Sequence, residues 1–420
     1  MNIEKLYEIF QRYPKICTDS RRLTRDSLFF CLKGENFDGN KFAKDALKSG
    51  CRYAIIDNEE YQTKGSILVK NVLQTLQDLA RLHREEINIP IIGITGTNGK
   101  TTTKELISRI LSSKYATYAT QGNLNSQIGV AISILEIKES HEIAVIEMGA
   151  NREGEIKNLC EIAQPTEGII TNIGYAHLEG FGSIEGVIRT KTDLYRSIIK
   201  NNGIVFINSE DVLLLDLGKN NKQITYGNGK GSNYRADIIN KFPFISIKIG
   251  STVINSNMIG EFQYANILAA CCIGNYFGVS LDNMKSSIED YAPKNNRTEI
   301  VKTKNNYIIL DAYNANPSSM NSMIDSFNQL RKNNKICILG EMKELGNFSK
   351  QEHRNIFLKM KELNIRTIYI GEEFMKHDYL DSFLNTEDFI QNITKYNLIN
   401  KTILIKGSRS VRLERLIKYL

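Results

Sequence analysis

"GITGTNGKTTTKEL", residues 93–106, is a glycine-rich run that ends in Lys-Thr and is typical of a phosphate-binding loop. The apolar run "IPII", residues 89–92, precedes it, and a segment of helical pattern follows. A strand running into glycines with a helix after them is the context that such a loop needs. The usual form, G-x-x-x-x-G-K-[ST], requires glycine at position 94, where this chain has Ile94. The sequence therefore predicts a nucleotide loop of variant construction.

Each residue type in this loop suits a task in binding a nucleoside triphosphate. The glycines let backbone N–H groups turn inward, and the start of the helix adds a partial positive charge. Lys100 can reach the β- and γ-phosphates, and the Thr101 hydroxyl can ligate Mg²⁺. The alternative is a plain strand–turn–helix connection in which Lys-Thr is incidental. The predicted ATP contacts in the loop are Gly96, Thr97, Asn98, Gly99, Lys100, Thr101 and Thr102.

Length and composition indicate a soluble globular protein of two or three domains. The chain has 420 residues, 41% of them hydrophobic and 24% charged. No apolar run approaches the ~20 residues of a membrane helix, and the start lacks a signal peptide, so we expect a cytoplasmic protein without membrane insertion. The 7 cysteines are odd in number and form no C-x-x-C motif, which favours reduced core thiols.

The charge pattern gives little support to nucleic-acid binding. A net charge of +7 comes from 54 basic and 47 acidic residues that are well mixed, without a basic tail. A mild positive balance also suits a small, highly anionic substrate. We therefore predict small-molecule substrates and no nucleic acid.

Alternating apolar runs and amphipathic segments predict an α/β fold with parallel sheets. Predicted strands lie in "IPIIGIT", "EIAVIEMG", "EGIITNIG" and "GIVFINS". The helices predicted in this part of the chain are 101–113, 128–137, 153–163 and 184–200. "YGNGKGSNYRAD", residues 226–237, is predicted to be an exposed loop. A second strand–helix alternation near the C-terminus indicates a smaller Rossmann-like domain, so the predicted domains are 1–86, 87–293 and 294–420.

Further motifs occur in all three predicted domains. The first contains "TDSRR" and "FFCLKGENFDGNKF", residues 18–22 and 29–42. The second contains "QGNLNSQIGV", "IEMGANREGEI" and "TNIGYAHLEGFGSIEGVIRTKTDLY", which begin at residues 121, 146 and 171. The third contains "DAYNANPSSM", "LGEMKELG" and "IKGSRS", which begin at residues 311, 339 and 405. Together with the variant loop, these motifs resemble the Mur ligases, which build peptidoglycan precursors, over nearly the whole chain.

The resemblance implies an N-terminal UDP-substrate-binding α/β domain, a central P-loop ATPase domain and a C-terminal Rossmann-like domain. The forms of "GNLN", "MGAN" and "YNANP" are similar to those of members that join D-alanyl-D-alanine to UDP-MurNAc-tripeptide. Such an enzyme uses ATP and Mg²⁺, passes through an acyl phosphate, and releases UDP-MurNAc-pentapeptide, ADP and phosphate. We expect it to act as a monomer.

The resemblance also assigns catalytic and metal-binding roles outside the loop. Glu147 ends an apolar strand and matches a Mg²⁺ ligand, and His177 follows the next predicted strand. Lys191 occupies the position that carries a carbamate in this family, whose anionic oxygens suit a hard cation. Each of the three also has a plain interpretation as a solvated or structural side chain. The predicted catalytic residues are Lys100, Glu147, His177 and Lys191, and the predicted metal ligands are Thr101, Glu147, His177 and carbamylated Lys191.

The nucleotide and the other substrates have predicted contacts of their own. Asn266, Arg297 and Asp311 match residues that reach the nucleotide, with Arg297 at the hinge between the second and third domains. The predicted substrate-binding residues are Ser20, Arg21, Asn123, Asn125, Tyr313, Asn314 and Asn316. For the last three, a purely structural turn around Pro317 is the alternative.

Three positions depart from the family pattern. Leu310 stands where an acidic residue is usual, Phe262 replaces a histidine on the adenine side, and Asn40 replaces a frequent histidine in the first domain. None of these positions is a predicted Mg²⁺ ligand, so the departures bear on the adenine and UDP contacts.

Three other functions are compatible with a P-loop chain of this length. One is a sister Mur ligase that adds the third amino acid, in which "GNLN" and "YNANP" would not occur in these forms. Another is a folylpolyglutamate-synthase-like ligase, which would read Gly-Lys-Gly-Ser where this chain reads Gly-Lys-Thr-Thr. The third is a P-loop NTPase that acts as a regulator. The identity of the third peptide residue, diaminopimelate or lysine, is left open.

Overall fold

The N-terminal unit is a small parallel sheet with helices on both faces. In the computed structural model, which describes residues 1–376 and 381–420, its elements are α1 Ile3–Arg12, β1 Lys15–Cys17, β2 Ser27–Phe30, β3 Lys33–Gly34, β4 Phe37–Asp38, α2 Ala43–Lys48, β5 Tyr53–Ile56, β6 Ser66–Leu68 and α3 Val72–Glu86. The sheet has the order β1-β2-β5-β6, and β3 and β4 form an antiparallel hairpin. Successive strand residues point to opposite faces. Leu28 and Phe30 therefore pack with α1 and α3, while Phe29 packs with α2.

The central unit is built on a seven-stranded parallel sheet. Its elements are β7 Ile91–Thr95, α4 Lys100–Ser112, β8 Thr117–Ala119, α5 Gln127–Leu135, β9 Ile143–Glu147, α6 Glu155–Ala163, β10 Glu167–Ile170, α7 Leu178–Phe181, α8 Ile184–Lys200, β11 Ile204–Asn208, α9 Val212–Gly218, β12 Lys222–Gly227, β13 Tyr234–Arg235, β14 Asp237–Asn240, β15 Ser246–Ile249, β16 Thr252–Asn255, α10 Gln263–Tyr276 and α11 Leu281–Glu289. The sheet order is β13-β12-β11-β10-β7-β9-β8, and all of its pairs are parallel. Strands β14, β15 and β16 form a separate antiparallel sheet.

Both faces of the central sheet are covered because its middle strands are apolar on both sides. In β7, Ile91 packs into a core with residues of α3, α5, α6 and α8, and Ile92 packs into a second core with α4 and α10. In β9, Ile146 packs into the first of these cores and Val145 into the second. Since all strands are parallel, the loops at their carboxyl ends meet at one edge of the sheet, where ligands bind in folds of this kind.

The C-terminal unit is a second, six-stranded sheet. Its elements are β17 Glu299–Lys302, β18 Tyr307–Asp311, α12 Pro317–Gln329, β19 Lys335–Gly340, α13 Ser349–Glu362, β20 Arg366–Ile370, α14 Glu372–Met375, β21 Ser382–Phe383, α15 Thr386–Asn392 and β22 Thr402–Lys406. The order is β17-β18-β22-β19-β20-β21, with β17 antiparallel to β18 and the other pairs parallel. The carboxyl ends of β18 and β22 face the same cavity as the central loop residues.

The structure confirms the parallel α/β fold and corrects the prediction in one region. The predicted helix 184–200 has the bounds of α8. The predicted helices 101–113 and 128–137 differ from α4 and α5 by one or two residues at each end, and 153–163 differs from α6 by two residues at its start. The predicted exposed loop 226–237 is wrong at its ends, because Tyr226 is buried in β12 and Tyr234–Arg235 form β13. The antiparallel sheet β14–β16 was not predicted.

Two expectations about the chain as a whole can be compared with the structure. All seven cysteines are buried and free, which confirms the prediction of reduced core thiols. In residues 1–376 and 381–420, no helix combines the length and apolar composition needed to cross a membrane.

Helix α3 joins the N-terminal unit to the central one. Leu79 of α3 is fully buried in a core that also contains Val130 of α5 and Ile162 of α6. Arg84 of α3 is buried as well, and its Nε donates to the backbone carbonyl of Ala163 at 3.1 Å. The two units therefore share one core, and residues 86 and 87 mark a change of sheet rather than a gap in packing. The division at 1–86, 87–293 and 294–420 stays a prediction.

Shortening Leu79 should loosen this shared core. We expect Leu79→Ala to lower the free energy of unfolding by about 2–5 kcal/mol, because it removes buried methyl groups and leaves a cavity. Urea unfolding followed by circular dichroism measures the change. Gln74→Ala, at an exposed position of the same helix, is the control. An unchanged unfolding midpoint for Leu79→Ala would contradict the shared core.

Candidate active site

A cavity of about 690 Å³ lies between the central and C-terminal units. The loop after β7 forms one wall, together with side chains at the ends of β9, β18 and β22. Most of the residues predicted to bind ATP, metal or substrate line this cavity. They are Thr97, Asn98, Gly99, Lys100, Thr101, Thr102, Asn125, Glu147, His177, Asn266, Arg297, Asp311, Tyr313, Asn314 and Asn316.

The variant loop is explained by where its glycines are needed. Ile94 is fully buried within β7, so the strand continues through the position where the usual form has glycine. The turn requires glycine at Gly96, where an added Cβ would lie 1.9 Å from the Thr171 hydroxyl oxygen. Gly99 has a φ of +80° and precedes α4 without a side-chain cap. Its left-handed backbone leaves the first N–H groups of α4 directed at the cavity, as an anion site requires.

The loop is held against the segment that follows β10. The Thr97 N–H donates to the Asn172 carbonyl at 2.9 Å, and the Asn98 N–H donates to the Asn172 side-chain oxygen at 3.0 Å. In return, the Thr171 hydroxyl and the Asn172 amide donate to the Asn98 carbonyl at 2.6 and 2.9 Å. These reciprocal bonds preorganise the loop, so that little ordering remains to be done when a nucleotide binds.

Two lysine side chains share the carbonyl oxygen of Gly96. Lys100 Nζ donates to it at 2.8 Å and Lys191 Nζ at 3.0 Å. Burial lowers the pKa of Lys191 well below its usual range, and the neighbouring charge of Lys100 lowers it further. Burial also lowers the pKa of Lys100, but the Glu147 carboxylate opposes that change. The arrangement therefore favours a cationic Lys100 above the loop and a neutral amine on Lys191 beneath it.

Glu147 presents a buried carboxylate oxygen that lacks a protein partner. Only 2% of the residue is exposed, and its Oε1 accepts a hydrogen bond from Asn125 Nδ2 at 2.9 Å. Within the described part of the chain, no hydrogen bond reaches its Oε2. An unpaired buried carboxylate oxygen is costly unless a cation or a donor meets it. Thr101 lines the same cavity, so a hydroxyl and a carboxylate are available as the hard oxygen ligands that Mg²⁺ prefers.

The described residues contain no cluster of three or more His, Cys, Asp and Glu side chains that could hold a metal by themselves. Mg²⁺ commonly keeps several waters and takes the rest of its ligands from one or two carboxylates and the substrate phosphates, and the unpaired oxygen of Glu147 beside Thr101 offers such ligands. The residues present are therefore compatible with Mg²⁺ bound together with a nucleotide.

His177 meets the C-terminal unit. Its Nδ1 lies 2.5 Å from Oε2 of Glu344, although the approach does not have the alignment of a hydrogen bond. The contact with His177 lowers the pKa of the Glu344 carboxyl below its usual value. A second contact between the units joins Asn316 Nδ2 to Asn98 Oδ1 at 2.8 Å. The phosphate loop and the predicted metal ligand thus both touch the C-terminal unit.

Residues predicted to reach the nucleotide are largely occupied by protein partners. Asp311 Oδ2 pairs with Lys406 Nζ at 2.6 Å, and Asp311 Oδ1 accepts the Thr298 N–H at 3.2 Å. The guanidinium of Arg297 lies 3.6 Å from the centre of the Tyr313 ring. Stacking of this kind holds Arg297 extended at the edge of the cavity.

Asn266 is buried directly behind the phosphate loop. Its side-chain oxygen accepts the Thr103 hydroxyl at 3.1 Å, and its amide donates to Gln263 at 2.7 Å. A Cβ on Gly99 would lie 2.7 Å from that oxygen, so Asn266 also limits the shape of the loop. Its described bonds support the loop rather than point into open space.

Five predicted site residues do not line the cavity: Ser20, Arg21, Gly96, Asn123 and Lys191. Gly96 and Lys191 lie just below it and are joined by the hydrogen bond described above. Arg21 is 86% exposed at its side chain and pairs with Asp19 on the N-terminal unit. Ser20 is partly exposed beside it, and Asn123 is exposed in the β8–α5 connection.

Two of the three departures from the family pattern have local physical explanations, and the third lies in the cavity. Leu310 is 3% exposed within the C-terminal core, where a carboxylate would be desolvated. Asn40 is fully buried, donates to Asp57 Oδ1 at 2.9 Å and accepts the Asp57 N–H at 3.1 Å. Phe262 lines the cavity just before α10. Asn40 is thus part of the internal bonding of the N-terminal unit.

Two residues of the site were not singled out by sequence. Lys406 ends the apolar run "TILIK" at the end of β22, and a lysine closing a buried strand was the available signal. It is 1% exposed and pairs with Asp311 across neighbouring strands. Glu344 lies in the quoted segment "LGEMKELG", but its contact with His177 depends on how two units come together, which the sequence does not indicate.

Models of three consecutive domains of one family match the chain. The model described as the Mur ligase family catalytic domain matches residues 12–92, the Mur ligase middle domain matches 94–274, and the Mur ligase glutamate ligase domain matches 296–409. The chain belongs to the Mur ligase family.

Relatives within the Mur ligase family match over nearly their full length. A UDP-N-acetylmuramoyl-tripeptide–D-alanyl-D-alanine ligase from Bacillus subtilis is 31% identical over 422 residues, which cover 96% of this chain and 92% of the relative. The crystal structure of MurF from Acinetobacter baumannii has a TM-score of 0.87 at 30% identity and covers 97% and 93% of the two chains. The MurF ligase from Thermotoga maritima, in complex with ADP, has a TM-score of 0.84 at 26% identity and covers 96% of each chain.

A side chain at Gly96 should disable the phosphate loop of this Mur ligase. Because its Cβ would overlap Thr171 and the φ of +147° disfavours an L-residue, we expect Gly96→Ala to weaken ATP binding at least ~10-fold, or about 1.4 kcal/mol. Isothermal titration with ATP measures the loss. Gly231→Ala, where an added Cβ meets nothing within 4 Å, should bind ATP as the wild type does. Equal affinity of the two variants would contradict this account of the loop.

Proposed function

We propose that this chain is an ATP-dependent ligase that joins D-alanyl-D-alanine to UDP-MurNAc-tripeptide. The products are UDP-MurNAc-pentapeptide, ADP and phosphate, as in peptidoglycan precursor synthesis. The observation that carries the proposal is full-length similarity, at 31% identity, to a ligase named for this reaction. The glycine loop, Lys100 and an unpaired buried carboxylate around one cavity supply the chemistry that such a reaction needs.

The reaction makes an amide by way of a better electrophile than a carboxylate. A carboxylate oxygen of the tripeptide attacks the γ-phosphorus of ATP, the bond from that phosphorus to the bridging oxygen breaks, and ADP leaves. The dipeptide amine then attacks the acyl carbon, loses a proton, and displaces inorganic phosphate. The first step brings two anions together, so positive charge must be held at their meeting point.

The phosphate loop provides that charge. The start of α4 and Lys100 line the cavity, so the N–H groups of the helix and the lysine cation would face the β- and γ-phosphates of ATP bound there. Arg297, at the junction of the central and C-terminal units, is placed to meet the γ-phosphate when the units close. Asn266 and Asp311 are proposed on the adenosine side, with Asp311 oriented by Lys406.

Mg²⁺ would be held by Thr101 and Glu147 at a first position, and by His177 and carbamylated Lys191 at a second. Bound there, it would neutralise charge on the phosphates and on the substrate carboxylate. The neutral amine favoured for Lys191 is the form that adds carbon dioxide, since an ammonium has no lone pair. The addition forms an N–C bond, releases a proton and leaves one negative charge shared by two oxygens.

The remaining assignments concern substrates and surroundings. We place the UDP-sugar on residues 1–86, ATP on 87–293 and the acceptor dipeptide between 87–293 and 294–420. Substrate contacts are proposed for Ser20, Arg21, Asn123, Asn125, Tyr313, Asn314 and Asn316. The ligase is proposed to work as a cytoplasmic monomer.

Other readings of the chain explain less of it. A regulatory P-loop NTPase leaves the N-terminal and C-terminal units without a role, and the chain belongs to a ligase family. A folylpolyglutamate-synthase-like enzyme does not fit the Gly-Lys-Thr-Thr loop. A sister enzyme adding the third residue would differ in the "GNLN" and "YNANP" segments, which line or adjoin the cavity here.

ATP turnover should depend on both co-substrates. We expect phosphate release with UDP-MurNAc-tripeptide and D-alanyl-D-alanine together, with either third residue tested, and little with one substrate alone. Single D-alanine should be a poor acceptor, because polar groups that bind the second residue would be left unpaired. Mass spectrometry should show a pentapeptide product. Addition of one amino acid to a dipeptide-bearing precursor would instead identify the sister ligase.

Removing the Lys191 amine should block formation of the acyl phosphate and spare ATP binding. We expect Lys191→Ala to lower kcat at least ~100-fold, about 2.7 kcal/mol, since no carbamate can form. Formate should restore part of the rate by supplying carboxylate oxygens in its place. The control is Lys200→Ala, an exposed lysine at the end of the same helix α8. Full activity of folded Lys191→Ala would rule out the carbamate.

A further inference from the structure

The contact between His177 and Glu344 joins two connections from different units. His177 lies in the segment between β10 and α7, and Glu344 in the segment between β19 and α13. Both residues have left-handed backbones, with φ of 50° and 64°. Such conformations are unfavourable for residues other than glycine and persist where the surroundings impose them. Here each strained residue carries the side chain that reaches the other unit.

The chemistry of the pair sets the direction of the hydrogen on the ring. An ionised carboxylate only accepts hydrogen bonds, and a neutral imidazole has one N–H and one lone pair. Glu344 Oε2 lies 2.5 Å from Nδ1, so the carboxylate attracts a proton on Nδ1 and repels a lone pair there, and the favourable arrangement leaves the lone pair on Nε2. A metal-bound histidine is typically held in this way by a carboxylate at its other nitrogen.

We propose that Glu344 is a positioning residue that fixes the tautomer and orientation of His177, leaving its Nε2 to bind Mg²⁺. This deepens the proposed function and rests on its assignment of His177 as a metal ligand. On this proposal Glu344 acts through His177 and does not itself touch the substrate or the metal.

The carboxylate is available for this task because its basic neighbour is engaged elsewhere. Lys343 forms an ion pair with Glu341, so it does not neutralise Glu344. Glu344 is about half exposed at its side chain, whereas His177 is 24% exposed, so the carboxylate reaches inward from the surface of the C-terminal unit.

Because the two residues belong to different units, the orientation of the proposed metal ligand depends on the relative position of the units. His177 belongs to the central unit and Glu344 to the C-terminal unit, so the ring is oriented only while the units are together. The hydrogen bond from Asn316 to Asn98 crosses the same junction at 2.8 Å, so a contact of the phosphate loop also depends on the two units being together. On this proposal, closure completes a metal ligand as well as enclosing the substrates.

The tautomer can be observed without nucleotide, metal or turnover. Long-range ¹H–¹⁵N spectra of histidine-labelled protein distinguish the two ring nitrogens, and the chain has only 5 histidines. His177→Asn assigns the signal by its loss. Well above the usual histidine pKa of about 6.5, we expect wild-type His177 to carry its proton on Nδ1. In Glu344→Gln the proton should move largely to Nε2, because the glutamine amide can donate to Nδ1. A wild-type Nε2–H, or an unchanged signal in the variant, would overturn the proposal.

Kinetics provide the second measurement. Glu344→Gln should raise the Mg²⁺ concentration for half-maximal rate by about 10–100-fold, the range seen when such a supporting carboxylate is lost. KM for D-alanyl-D-alanine should stay within about twofold of wild type, given that Glu344 makes no substrate contact. A larger KM for the dipeptide, with an unchanged Mg²⁺ dependence, would show that Glu344 helps to bind the acceptor dipeptide and would contradict the inference.

A matched control and the wild type separate the possible failures. Glu362→Gln removes an exposed carboxylate at the end of α13 in the same unit and should leave both readouts unchanged. If the wild type has no ligase activity, the proposed function fails while the NMR result still reports on the contact. If the wild type is active and Glu344→Gln matches Glu362→Gln, only the positioning role fails.

Discussion

Two lysine nitrogens directed at the carbonyl oxygen of Gly96 set the electrostatics of the whole site. Lys100 and Lys191 approach that oxygen at 2.8 and 3.0 Å. Two like charges so close in a buried setting repel strongly, and the interior weakly screens them. The pair is stable when one amine is neutral, and Lys191 is the one whose pKa burial and the charge of Lys100 both lower. One crowded oxygen therefore lies between a lysine favoured as a cation and a lysine favoured as a neutral amine, the two forms that the proposed phosphate-binding and carbamate roles require.

The fold makes this crowding possible. Gly96 follows β7, whose parallel neighbours β9 and β10 deliver Glu147 and the loop-binding segment to the same edge. Helix α8 covers one face of the sheet and inserts Lys191 from below. The C-terminal sheet repeats the principle, since β18 and β22 end in Asp311 and Lys406, which pair at 2.6 Å. Two parallel sheets thus present their carboxyl ends to one cavity, a place where ligands bind in folds of this kind.

The sequence alone was sufficient to predict an element of the fold or site where the pattern that specifies it lies within a few consecutive residues. The amphipathic run 184–200 predicted α8 at its observed bounds, and the glycines around Lys100 predicted the loop in its strand–helix setting. The sequence was insufficient where a strand or a side-chain contact depends on residues that are distant along the chain. Strands β14–β16 have four residues each, too few for a clear alternation. The role of Lys406 depends on the register of β22 against β18, and that of Glu344 on the meeting of two units.

The division of the cavity between two units is a chemical requirement as well as a structural fact. An acyl phosphate must be kept from water until the amine arrives, and a site shared by two units can exclude water when they close. Catalytic groups are therefore well placed at the junction if their contacts form only when the units close. Asn98 of the loop and His177 both meet partners from the C-terminal unit. On the proposed function, the groups that would meet the triphosphate are joined to the unit whose closure would shield the intermediate, so activation and protection of the carboxylate would be coupled.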